Sequence, residues 1–269
     1  MTNILAIQVV AAFVVGGAVI ALLTFMAERA SSRTAGIILS FPSTIALGYF
    51  FLGWTVSPEA VARIVPSTLV ALGAIIVFAI VYVNVAERNM KLHKIMQIGV
   101  SLVASSVVWL AIVSPVVYFK VSSLLIGIVG YAVLICVGQL LISRKLHCVE
   151  SSLPAVKYTF GQKIGRAVFI GFIVALIVLL SKTVSPFWGG VFSVFPAALS
   201  SALIVFHWHY GAERLHAMIR KVAIGSITLF TYAIVARIVF PQFGFVWGTL
   251  MAYVASFCIT RVVIGLQKK

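Results

Sequence analysis

The chain has 269 residues, 62% of them hydrophobic and only 9% charged, with 20 Lys and Arg against 5 acids and a formal net charge of +15. A mean hydropathy of +1.18 exceeds what a soluble domain can bury, so the composition excludes a soluble globular protein and predicts an all-α polytopic membrane protein. The three cysteines, Cys136, Cys148 and Cys258, suggest neither a disulfide framework nor a metal motif, and no cofactor or metal is expected.

Nine apolar segments are expected to cross the bilayer, near 3–26, 36–54, 66–86, 95–113, 121–143, 164–182, 187–207, 221–240 and 244–265. The first lacks a positive flank and is too long for a cleaved signal peptide, so it reads as a span. The least defined boundaries are Ser114-Pro115 and the junction between 181 and 186. Lys and Arg are segregated. Only Arg63, Lys120, Lys182 and Arg237 fall beyond even-numbered spans or at those ends, against sixteen on the other side. That bias predicts the N-terminus outside and the C-terminus in the cytoplasm. Topology and attraction to anionic lipid on the cytoplasmic side explain the net charge without nucleic acid. Lys120 and Arg237 read as snorkelling side chains.

The chain also repeats itself. Gly17, Gly36, Phe41, Pro42, Trp54 and Glu59 recur in order as Gly171, Gly190, Phe195, Pro196, Trp208 and Glu213, every pair 154 residues apart. Four spans (residues 1–113) therefore match four others (164–269). The single unpaired span and basic loop between them (114–163) force the halves into opposite orientations. The expected architecture is two inverted four-helix repeats joined by one linker helix, in which Gly127 and Gly130 permit close packing.

The most specific motif is Gly36-Ile-Ile-Leu-Ser40-Phe41-Pro42-Ser43-Thr44 with its echo Gly190 to Pro196. A proline within a span removes a donor and frees the carbonyl four residues back, here Ile38 and Phe192. Such breaks commonly line a cavity. Ser40, Phe41, Pro42 and Thr44, and Ser193, Phe195, Pro196 and Ser200, are the candidate substrate-lining residues, with a packed kink as the structural alternative. Glu28 and Lys182 occupy equivalent positions with opposite charge, and are candidates for coupling or for binding a charged substrate. Glu59 and Glu213 read as helix-start acids. His207-Trp208-His209-Tyr210 reads as an interfacial belt rather than a metal site.

Leu180-Ser-Lys182, Gly190, Phe195-Pro196 and Tyr210-Gly-Ala-Glu213-Arg214 resemble the GlpM-like family of small bacterial inner-membrane proteins. The resemblance covers residues 164–265, with Gly36, Phe41, Pro42 and Glu59 persisting in the first half. It implies a four-span unit, here duplicated, in the bacterial inner membrane, and an association with alginate production without catalytic residues. The expected function is a secondary transporter or exporter of a small polar or anionic metabolite. The alternatives are a flippase for a lipid-linked intermediate and a non-transporting accessory subunit of envelope polysaccharide synthesis. No aspartate and scattered glutamates argue against an enzyme. A chain containing both orientations has less need of a partner copy, which favours a monomer.

Overall fold

The computed structural model describes residues 2–29, 42–145, 159–219 and 222–266. Its helices are α1 (Thr2–Arg29), α2 (Ser43–Thr55), α3 (Pro58–Arg88), α4 (Lys94–Tyr118), α5 (Leu124–Lys145), α6 (Phe160–Thr183), α7 (Pro186–Phe192), α8 (Ala197–Tyr210), a 3₁₀ turn (Ala212–Leu215), α9 (His216–Ile219) and α10 (Val222–Leu266). No strand occurs among the described residues. Among the described residues seven helical segments are long and apolar enough to cross a membrane, α7 and α8 together (Pro186–Tyr210) forming one of them, as a multi-pass membrane protein requires. Ile7, Val103, Val107, Leu125, Leu140 and Val254 are more than half exposed. They form an apolar exterior suited to lipid.

Four of the nine expected spans look different from their sequence windows. The second window, 36–54, contains α2, whose 13 residues reach only about 20 Å at 1.5 Å per residue; its first part lies outside the described residues. The seventh, 187–207, is broken into α7 and α8. The eighth and ninth fall in α10, 45 residues long, with non-helical Gly244 (φ 72°, ψ 179°) inside it. Tyr232 and Tyr253, which would stand about 31 Å apart on a straight helix, have ring centroids 5.4 Å apart. The chain therefore doubles back at Gly244 into two arms, 222–243 and 245–266. Only glycine adopts that backbone angle without strain.

α3 is the axis of the molecule, packed against α4, α5, α7 and α10. It starts earlier than the expected residue 66 because Ser57 accepts the Ala60 N–H at 3.1 Å and Pro58 occupies the first turn. Pro66 inside α3 cannot donate to the Ala62 carbonyl. Arg237 of α10 supplies the missing donor, its Nη1 2.6 Å from that oxygen. α5 lies close along α3 through glycines. A Cβ at Gly127, Gly130 or Gly138 would meet Pro66 at 2.7 Å, Val70 at 2.9 Å or Ile76 at 2.5 Å. α4 runs through Pro115 to Tyr118, past the expected end at 113, since a proline in the last turns deletes one hydrogen bond only. Trp109 on α4 is fully buried and donates to the Ala71 carbonyl of α3 at 3.2 Å.

α1 packs chiefly on α6, and the crossing is made by the repeated glycines. A Cβ on Gly171 would stand 2.7 Å from the Phe13 carbonyl oxygen, and one on Gly17 would stand 3.2 Å from that of Ala167. Gly17 and Phe13 lie 154 residues before Gly171 and Ala167. Each glycine thus meets the other helix's equivalent carbonyl, the reciprocity of a local two-fold. The register runs 13 with 171 and 17 with 167, so the two helices are antiparallel.

Gly171→Leu and Gly17→Leu are each expected to destabilise the purified protein by about 1–3 kcal/mol through overpacking. Because they share one crossing, the double variant should cost clearly less than the sum, as thermal unfolding of the four proteins would show.

Candidate functional site

The two prolines open the helices that follow them in the same way. Pro42 (φ −74°, ψ 52°) and Pro196 (φ −74°, ψ 48°) each stand immediately before a half-helix, α2 and α8. Each proline carbonyl accepts the first helical bond, from Ala46 N at 3.0 Å and from Ser200 N at 2.7 Å. Neither half-helix has a side-chain cap, since proline carries no acceptor. At α8 the Ala197 N–H is taken by the Phe195 carbonyl at 2.6 Å; the positive dipole ends of both helices lack a side-chain acceptor.

The half-helices run away from each other. The far end of α2 approaches α10 near its turn, where a Cβ on Gly53 would meet Phe245 at 2.7 Å, and leads directly into Ser57 and α3. The far end of α8 carries His207, whose Nδ1 is 3.3 Å from the Tyr82 hydroxyl near the other end of α3. The two N-termini consequently meet in mid-molecule. Between them lies a cavity of about 310 Å³, lined on one side by Ser43, Thr44 and Ile45 and on the other by Ser193, Val194, Phe195, Pro196, Ala198 and Leu199. Ile20, Leu23 and Thr24 of α1, Ile75 of α3 and Val222, Gly225, Ser226 and Leu229 of α10 complete it. Arg166 of α6 is the one charged side chain among its described lining residues. Ser226 donates to the Ala223 carbonyl at 2.6 Å and pairs with the Tyr131 hydroxyl at 2.7 Å. This fixes that wall to α5.

Of the residues expected at a site, Thr44, Ser193, Phe195 and Pro196 line the cavity. Pro42 is buried at the start of α2. Ser200 is buried and turned back to the Pro196 carbonyl at 2.7 Å, away from the lining. Ser40 and Phe41 lie outside the described residues, as does Ile38. The Phe192 carbonyl, expected free, accepts the Phe195 N–H at 3.0 Å; the chain leaves the helix before Pro196, and the tight turn closes on that oxygen. Ser193 and Ser200 consequently do not share one continuous helical face. Ser193 packs against α2, where a Cβ on Gly48 would meet its Cβ at 2.5 Å. Glu28 occupies the last turn of α1, and its side chain lies outside the described residues. Lys182 is exposed in the last turn of α6, sixteen residues and about 24 Å along that helix from Arg166, and does not reach the cavity.

Arg166 is not among the expected site residues; by charge it groups with the loop cations, although it falls inside the sixth apolar window. An arginine within a span was the available signal. His207 also differs from its expected place in an interfacial belt. It is fully buried, with Nε2 unpartnered among the described residues, whereas Trp208 is 45% exposed. No group of three or more His, Cys, Asp or Glu stands close enough to hold a metal among the described residues. No family model, curated protein or solved structure matches the chain.

In a cysteine-free background, Thr44→Cys and Ser226→Cys are expected to react with a small hydrophilic thiol reagent, and Ser200→Cys to be protected. Protection of Thr44→Cys and Ser226→Cys to the same degree as Ser200→Cys would mean that the cavity does not admit water.

Proposed function

We propose that this chain is a secondary transporter of a small anionic metabolite, working by alternating access between two inverted repeats. The observation that carries the reading is the pair of uncapped half-helix N-termini, α2 and α8, opposed across a cavity that Arg166 also lines. Two positive dipole ends and a guanidinium make a favourable environment for a carboxylate or phosphate. Broken helices at corresponding positions of two halves are the usual location of such sites in transporters. Uncapped N–H groups in mid-membrane are costly against lipid and tolerable in a solvated cavity, which argues for a working cavity over a packed kink.

In this reading the chain crosses the membrane nine times. Residues 1–113 and 164–269 are repeats related by a two-fold axis in the membrane plane, and α5 is the unpaired linker. The 154-residue spacing, the matching backbone at Pro42 and Pro196, and the reciprocal contact of Gly17 and Gly171 all support it. The lining from α1, α6 and the first arm of α10 lies toward the Arg88 end of α3, the end that the cation bias assigns to the cytoplasm, so this conformation is inward-facing. The two halves correspond to a duplicated GlpM-like unit in a bacterial inner membrane, with anionic lipid held by the cytoplasmic cations.

Purified protein reconstituted in proteoliposomes and offered a panel of radiolabelled carboxylates and phosphate esters tests the reading. At least one anion is expected to exchange across the wild-type membrane, and Arg166→Gln to slow that exchange roughly tenfold or more, the loss of one charge-assisted hydrogen bond. Exchange of no anion, or exchange untouched by Arg166→Gln, would contradict it.

A further inference from the structure

The opposite end of the molecule holds a second opening. The first turns of α3, the turn between α4 and α5 and the start of α7 surround an open depression of about 580 Å³, whose wall includes Arg63, Lys120, Ser122, Ser185 and Phe187. Two cations share this wall, and no carboxylate lines it among the described residues. Glu59 is exposed one turn before Arg63 and stands outside the lining. Two more cations lie close by. Arg237 is anchored on the Ala62 carbonyl, next to Arg63, and Lys182 precedes Ser185 by three residues. Charge segregation across a membrane explains why few cations occupy this end. It gives no reason for those few to gather around one opening, where they repel each other unless an anion sits among them.

The ending of α4 places the second cation. Lys120 has φ 47°, the one positive value at a non-glycine position among the described residues. It is the residue after the C-cap of α4, where a left-handed residue commonly ends a helix. Here the turn is tied on three sides: Lys120 N–H donates to Val117 O at 3.0 Å, Val121 N–H to Val116 O at 3.1 Å, and the Ser67 hydroxyl of α3 to Val121 O at 2.7 Å. The tied turn brings Lys120 to the same wall as Arg63. Ser185 accepts the Phe187 N–H at 3.3 Å, and its own proton is left to donate.

We propose that this depression is a second anion-binding site, in which Arg63 and Lys120 supply the charge and Ser122 and Ser185 the hydroxyl donors for a phosphate group. It is distinct from the central cavity. α7 divides the two, with Ser185–Phe187 at its start on the depression and Ser193–Val194 just past its end on the cavity. The proposal stands whether or not the central cavity carries a transported substrate. The phosphate belongs either to a free metabolite or to a lipid headgroup.

The test is binding of radiolabelled inorganic phosphate to the full-length protein in phosphatidylcholine nanodiscs. Saturable binding is expected that Arg63→Gln and Lys120→Gln each weaken roughly tenfold, that Lys120→Arg preserves, and that Arg166→Gln leaves with its outer component intact. Lys120→Gly removes the charge and relieves the backbone angle. It should unfold at a higher temperature than wild type and still lose phosphate, which separates charge from folding. Nanodiscs containing phosphatidylglycerol identify the source. A lipid headgroup as occupant would lower the apparent phosphate affinity of wild type there, and anionic lipid would copurify with wild type but not with the Arg63→Gln/Lys120→Gln protein. Phosphate affinity indifferent to the anionic lipid would point to a free phosphate. Phosphate binding equal in wild type and the double variant, with no lipid retained by either, overturns the site.

Discussion

A chain in lipid must pair its backbone groups from within, and prolines inside or between the helices of this protein interrupt that pairing at fixed points. Three of these interruptions have visible remedies. At Pro66 the orphaned Ala62 carbonyl is taken by Arg237, from a helix 175 residues later in the chain. At Pro196 the chain leaves the helix altogether, and the Phe192 carbonyl is closed by a tight turn. At Pro115 a last-turn position limits the loss to one bond. The first turns of α2 and α8 have no side-chain cap, and Ser43, Thr44, Ala198 and Leu199 there line one shared cavity.

The same requirement explains the glycines. Half-helices of 13 and 14 residues are too short to cross a bilayer alone and depend on neighbours at close range. Gly48 lets α2 touch Ser193, Gly190 lies against Ile64, and Gly189 against Ser181. At Gly17 and Gly171 the approach becomes reciprocal, each glycine against the other's equivalent carbonyl. Small residues at helix crossings let backbones approach when lipid offers no hydrophobic drive between helices. α7, only seven residues long, is held in this way between the second depression and the central cavity.

Much of this was legible in the sequence because it occurs twice. The spacing of 154 residues picked out Phe195-Pro196 and Pro42, and Thr44, Ser193, Phe195 and Pro196 do line one cavity. Periodicity failed where it assumed an unbroken helix: Ser200, placed on a shared face with Ser193, turns back to the Pro196 carbonyl once the helix restarts there. Arg166 escaped notice because a cation at the start of a span looks like a loop charge until the helix on which it stands is known to border a cavity. His207 was read with its exposed neighbour Trp208, yet it alone of the two points inward to Tyr82. The gathering of Arg63 and Lys120 had no signature at all in the sequence, since it depends on a turn 57 positions further along being folded against α3.

The account rests on two halves of opposite orientation. Glu59 and Glu213, 154 residues apart and both exposed, mark corresponding points on opposite ends of the molecule. With Cys136, Cys148 and Cys258 replaced, Glu59→Cys and Glu213→Cys would each be labelled in intact cells with a membrane-impermeant thiol reagent. The account predicts that Glu59→Cys reacts in intact cells and Glu213→Cys only after permeabilisation. Labelling of both from the same side would contradict the inverted repeat, and with it the opposed half-helices on which the cavity depends.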